Sequence, residues 1–418
     1  MVPVGRSGFL KPDLAEIVLE GRVHAVVLHD GHGVVVELAP VGLDDDARVL
    51  EDLLDLAHDL LALLGVGDRQ RLADGGVRYE DLARHVGQFP LYDERGEDTL
   101  WSSVFYGPAE QAEIHDALRT TYALLKSAGD RTTVEHLYID RIDLCLYGNT
   151  LPFRVRIVNR LNENFDYFYV KRADASRVYG LELEHILSPN SINFLVRVDG
   201  PELRDQTIIE EHIIGLPGDA FMRDQLPDNR FDQVRLSKEF VKFNERCFVR
   251  LLGDMHAGNW VVDITPDFEK LHFRMRAIDF DQQSHHARRQ VYLPQYFPTN
   301  NPVIQFGLQH LTEPTVDQYQ REERALMAGR LRVTQGRYAE LMAVMREDLI
   351  APAASVAALG ESLARHYTIS DFREAQTMGE LVWLSLELLQ KRAEPASMKL
   401  LSGATAADVA GDVQGYGV

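Results

Sequence analysis

Three oxygen-bearing side chains stand out by type and spacing. The segment LLGDMHAGNWVVD, residues 251–263, sets Asp254 five positions before Asn259, and the segment AIDFD, residues 277–281, carries Asp279 and Asp281. A carboxylate can orient an attacking hydroxyl and take its proton, while amide and carboxylate oxygens are hard donors suited to Mg²⁺. Transfer of a phosphoryl group needs both: a residue that positions the nucleophile, and ligands for the ion that bridges the phosphates. Asp254 suits the first role, and Asn259 and Asp279 suit the second. Gly253 and Gly258 allow the backbone to turn tightly beside a ligand. The plainer alternative for Asp254 and Asn259 is a polar loop held by Asx turns, which both residue types commonly make. For Asp281 three roles stay open: support of a metal ligand, a second metal, or a solvated side chain. No Cys/His set has zinc spacing, and no GxSxG or Cys/His nucleophile pair occurs.

These residues need elements to hold them. Leu236, Phe240, Phe243 and Cys247 fall on one face of a helix that leads into the Asp254 loop. NWVVDI and HFRMRAI read as strands around a turn at Thr265-Pro266-Asp267, and such a hairpin would bring Asn259 and Asp279 back to the same end. Upstream, IDLCLYG, FRVRIV and DYFYVKR are strand-like runs separated by the turn residues Gly148-Asn149 and Asn162-Glu163-Asn164. A helix is expected at 174–187, followed by strands in NFLVRV and TIIEEHI. The remainder is mainly helical, with helices over 318–348 and 371–391. Towards the N-terminus, two apolar runs within 22–38 flank Gly31 and Gly33 and predict a β-hairpin. Leu50, Leu53, Leu54, Ala57, Leu60, Leu61 and Leu64 predict a helix over 44–64, and a second helix is expected over 109–127. Residues 1–130 read as an accessory α+β region, and the small, polar segment 402–418 as a mobile tail.

GDMHAGN resembles the GD-x-H-x-GN loop of the aminoglycoside/choline kinase-like phosphotransferases, which share the eukaryotic protein kinase fold, and AIDFD is similar to their metal-binding strand end. The glycine and histidine at matching places weigh against a merely structural loop. The resemblance implies an α+β, two-lobed fold, with a small β-rich lobe at 131–213 and a helical lobe at 214–401. It implies ATP and Mg²⁺ as cofactors, Asp254 as catalytic base, and Asn259 and Asp279 as metal- and nucleotide-binding residues. His256 matches the family's loop histidine. Lys171, at the end of YFYVKR, would hold the α- and β-phosphates and pair with a glutamate on the next helix, Glu184 in preference to Glu182. TIIEEHIIGLPGD resembles the hinge between lobes, so the backbone of Glu211, His212 and Ile213 would hydrogen-bond adenine, with Gly215 and Gly218 following.

Departures from the family pattern bear on the substrate. Leu252 stands where the family has a histidine, and the turn YGNTLPF has one glycine and no GxGxxG. No APE-like motif follows Asp279, which tilts the acceptor from a protein towards a small-molecule hydroxyl. A HipA-type kinase acting on a protein, transfer of AMP in place of phosphate, and a pseudokinase acting as a binding module are the other readings. His285, His286, Arg288 and Arg289 could receive an anionic substrate or form a solvated loop.

Composition narrows the partners. The chain has 418 residues, 45% hydrophobic and 26% charged, as in ordinary globular proteins. A net charge of -20 disfavours nucleic acid and anionic membrane surfaces. Two cysteines form no disulfide framework, and no apolar stretch reaches the roughly 20 residues that span a bilayer. The expected location is the cytoplasm, with no leader segment.

Overall fold

A computed structural model describes residues 76–393 apart from 128, 148–149, 190–191, 198–205, 227–231 and 268–269, together with the backbone of 13–19, 23–29 and 34–38. The first three strands, β1 (Asp13–Leu19), β2 (Val23–His29) and β3 (Val34–Leu38), form an antiparallel sheet. His29 pairs with Val34 across the β2–β3 connection, the hairpin expected from the flanking apolar runs. The helix expected over 44–64, the Gly148-Asn149 turn and the segment 402–418 lie outside the described residues.

Next come α1 (Tyr79–Ala83), β4 (Gly87–Tyr92), β5 (Asp98–Phe105), α2 (Pro108–Ser127), β6 (Leu137–Cys145), β7 (Phe153–Asn159), β8 (Phe165–Arg172), α3 (Ala175–Leu187), β9 (Phe194–Arg197) and β10 (Thr207–Glu211). The strands β4 to β10 make one antiparallel sheet in the order β4-β5-β6-β7-β8-β10-β9. Alternation decides its two faces. Val155, Ile157, Phe168 and Val170 point to one side, where they join Ile114, Leu118 and Ala123 of α2 in a single core. The other side carries a polar row. Ser103, Asp143, Arg154, Tyr169 and Glu210 lie opposite one another on five successive strands and form a row across it. Ser103 donates to Asp143 at 2.8 Å, and Arg141 and Arg154 each reach the same buried carboxylate at 2.9 Å.

This sheet corrects the expected division at residue 130. Residues 76–127 contribute two strands, the covering helix and much of the core to the same unit as β6–β10. Local sequence pattern does not reveal this, because β5–β6 pairing spans about 40 residues of sequence.

The chain continues through β11 (Leu216–Pro217), α4 (Gln233–Arg250), β12 (Trp260–Asp267), β13 (Lys270–Ala277), α5 (Asn301–His310), α6 (Glu313–Val333), α7 (Gln335–Glu347), α8 (Ala353–Tyr367) and α9 (Met378–Ala393). The Asp232 side chain caps α4 by accepting from the Arg235 N–H, and Leu236, Phe240, Phe243 and Cys247 form its buried face. Three expectations change. The β12–β13 ladder runs on through the expected turn at Thr265, Pro266 and Asp267, pairing Asp267 with Lys270. The single helix expected over 318–348 is broken at Thr334. The helix expected from 371 begins at Met378.

The fold is α+β, compatible with a two-lobed kinase-like arrangement. Among the described residues no helix is long and apolar enough to cross a membrane. Helix α3 occupies an unexpected place. Although it falls between strands in sequence, its Tyr179, Leu183, Ile186 and Leu187 belong to the core built by α6–α9. Glu182 pairs with Arg337, Glu184 with Arg250, and the Tyr179 hydroxyl donates to Asp348 at 2.7 Å. Gly180 allows the close approach: a Cβ there would lie 2.8 Å from the Phe280 Cβ and 3.0 Å from its carbonyl oxygen.

Candidate active site

Helix α4 ends in a Schellman turn. Leu251 takes a left-handed conformation at φ 59°, its N–H donates to Phe248, and Leu252 N–H donates to Cys247 at 2.9 Å. This turn directs the chain alongside residues 282–283. Gly253 N–H donates to Gln282 at 3.0 Å, and a Cβ at Gly253 would meet that same oxygen and the Val291 side chain at 3.0 Å. Leu252, where the family resemblance called for a histidine, is buried in the apolar core beside this loop.

Asp254 follows, itself left-handed at φ 58°, an arrangement aspartate tolerates better than most residues. Its N–H donates to Val291 at 3.0 Å, and its carbonyl accepts from the His256 N–H and the Asn259 side-chain amide, both at 2.9 Å. The Asn259 amide nitrogen is thereby fixed, and its oxygen remains for another partner. Asn259 also accepts the Ile278 N–H at 3.0 Å, extending the Trp260–Ala277 pairing by one step. Asn259 and Asp279 thus stand at the same end of the β12–β13 hairpin. His256 organises the loop, its Nδ1 accepting the Gly258 N–H at 3.0 Å.

Lys171, only 7% exposed, lies on the polar face of β8 and donates to Glu210 at 2.7 Å. The expected partners Glu184 and Glu182 are both elsewhere, held by Arg250 and Arg337. The reason is geometric. Ile208 sits opposite Lys171, so Glu210, two residues along β10, shares its face, while α3 turns both glutamates into the helical body.

Helix α3 instead brings in Arg177, which sequence reasoning missed. Its buried guanidinium lies 3.0 Å from Asp279, 3.6 Å from Glu210, 3.8 Å from Asp281 and 3.5 Å from Asp174. Asp174 is also the N-cap of α3, accepting the Arg177 N–H at 2.8 Å. A signal was present: an arginine in the first turn of a helix opposes the macrodipole, so it needs nearby anions. Glu210 Oε1 and Arg177 Nε are buried with no hydrogen-bond partner.

The carboxylates are set apart by these surroundings. Burial works to raise Asp279, but Arg177 and then Lys171 hold it below the usual carboxylate range. Burial, followed by the charge of Asp279, pushes Asp281 up to about 6. Burial also raises Asp254, with Asp279 adding to it and His256 and His286 opposing. The site therefore contains a firmly ionised carboxylate beside a more basic one.

The other expected positions are mixed. Glu211 N–H donates to Asn193 and His212 N–H to Tyr167, so two of the three expected hinge donors are already engaged. Ile213 is buried in the apolar core. The His212 ring lies 3.2 Å from the Tyr169 hydroxyl. Of the cluster at 285–289, His286 is fixed through Tyr292, and Arg289 reaches His366 at 3.1 Å. Among the described residues no three His, Cys, Asp or Glu side chains are grouped to hold a metal ion. The donor set Asn259 and Asp279 still fits Mg²⁺, which uses one or two protein oxygens and takes the rest from phosphate and water.

No protein-family model matches the chain, and no curated protein matches it. Among solved structures it is similar to the kinase domain of maize sucrose-induced receptor kinase 1 bound to AMP-PNP. The identity is 13%, the match covers 57% of this chain and 89% of that one, and the TM-score is 0.19. A likeness of that size carries no functional argument.

Proposed function

We propose that this protein is an ATP- and Mg²⁺-dependent phosphotransferase that moves the γ-phosphoryl group to a hydroxyl of a small molecule or protein. The observation that supports it is the meeting of Asp254 and Asn259 through one hydrogen bond, with Asp279 at the same hairpin end. Lys171 is close enough to help hold Asp279 ionised. In this reading Lys171 faces the nucleotide phosphates. The acceptor hydroxyl gives its proton to Asp254 as its oxygen bonds the γ-phosphorus, and the bridging bond to the β-phosphate breaks to release ADP. The raised basicity of Asp254 favours that proton transfer. Mg²⁺, held by Asn259 and Asp279, would offset phosphate charge.

The test is nucleotide binding followed by turnover. ATP–Mg²⁺ at a hundredfold excess over its Kd should stabilise the protein by about 2.7 kcal/mol. Asp254→Asn should keep that thermal shift and lose about 10²–10⁴-fold in ATP turnover. Label from γ-³²P but not α-³²P should reach the acceptor; the reverse result would mean AMP transfer. A second reading, a nucleotide-binding module without transfer, draws support from the grip of Arg177 on Asp279 and from the engaged hinge donors. Nucleotide binding by the wild type with no ATP turnover, in it or in Asp254→Asn, would favour it.

A further inference from the structure

Arg177 has no part in the transfer as written, yet it is the most heavily bonded cation of the site. Its side chain is 2% exposed and contacts Asp174, Glu210, Asp279 and Asp281 within 4.0 Å. It is not free to withdraw, because α3 is held to the helical body through Glu182, Glu184 and Tyr179 and lies flush on Phe280 at Gly180. We infer that the Arg177 guanidinium stands where a second divalent cation would otherwise bind between Asp279 and Asp281, so that the protein takes up one ion per nucleotide.

Charge supports this assignment. The four carboxylates around Arg177 are met by two cations, Arg177 and Lys171, and Arg177 is the one that touches both Asp279 and Asp281. The Arg177 nitrogens lie 3.0 Å from Asp279 Oδ1 and 3.8 Å from Asp281 Oδ2, so a further ion between these carboxylates would sit against a fixed positive charge. The ligand pair Asn259 and Asp279 lies at the same hairpin end, where the other ion would be held.

The inference depends on the phosphotransferase reading, and one titration separates the two. Full-length protein is saturated with AMP-PNP, and bound Mn²⁺ is counted by electron paramagnetic resonance. The expected count is one ion per wild-type chain and one in Arg177→Lys. Arg177→Met should take up a second ion at least tenfold more tightly than the wild type and show spin coupling between the two. Two ions in the wild type, or an Arg177→Met protein that binds AMP-PNP but stays at one, would overturn the role given to Arg177. No Mn²⁺–AMP-PNP binding by the wild type would overturn the phosphotransferase reading itself. Should Arg177→Met not fold, Arg177→Gln takes its place, with the same gain of a second ion expected and a count of one overturning the role.

Discussion

At the scale of single residues, the two glutamates of α3 and the one on β10 have exchanged the roles that sequence order suggests. Glu184→Gln leaves the fully buried Arg250 without its counter-charge, a change that costs about 3–5 kcal/mol when a buried pair is broken. Urea unfolding should show that loss, while nucleotide affinity of the folded fraction is unchanged. Glu210→Gln should do the opposite at the ligand: it frees Lys171 and weakens ATP binding, read by calorimetry. Asp281 gives a prediction in pH. Its folded-state value of about 6 exceeds that of an unfolded aspartate, so its ionisation opposes folding, and stability falls as pH rises from about 4 through 6. Asp281→Asn should therefore melt above the wild type at pH 7.5, with the gap closing towards pH 4. Asp254, Asn259 and Asp279 were visible in the sequence because a short loop and one hairpin connect them. Arg177 was marked only by its place in the first turn of α3, and its meeting with Glu210 depends on the phase of that helix and on the β8–β10 register.

At the scale of elements, alternation and helical periodicity identified β6–β10, α3, α4 and the β12–β13 hairpin, because each buries one face against a core. Strand partners were less visible: nothing between residues 87 and 105 announces pairing with β6. The close seat of α3 on Phe280 has a measurable consequence. Gly180→Ala gains helix propensity, but its methyl group meets the Phe280 Cβ at 2.8 Å and its backbone oxygen at 3.0 Å, so overpacking should dominate and destabilise by about 1–3 kcal/mol. Gly329→Ala in α6 has only the tip of Arg332 at 4.0 Å and should stabilise by about 1 kcal/mol. Opposite signs in paired denaturation curves check the argument; equal signs would contradict it.

At the scale of the whole molecule, the sheet that carries Lys171 begins near residue 87. A chain starting at residue 131 would lose β4, β5 and α2, expose β6 as a bare edge, and uncover Val155, Ile157, Phe168 and Val170. Such a truncation should be recovered only as aggregate, measured by size-exclusion chromatography beside a chain starting at residue 76.

The row Ser103, Asp143, Arg154, Tyr169 and Glu210 carries a further consequence. Slipping any of these strands by one position would drive an ionic or hydroxyl group into the greasy side beneath α2 and turn its apolar neighbours outward. The row therefore works as an indexing key for the sheet. Because its last tooth, Glu210, is also the clasp on Lys171, a misaligned sheet would lose that ion pair as well.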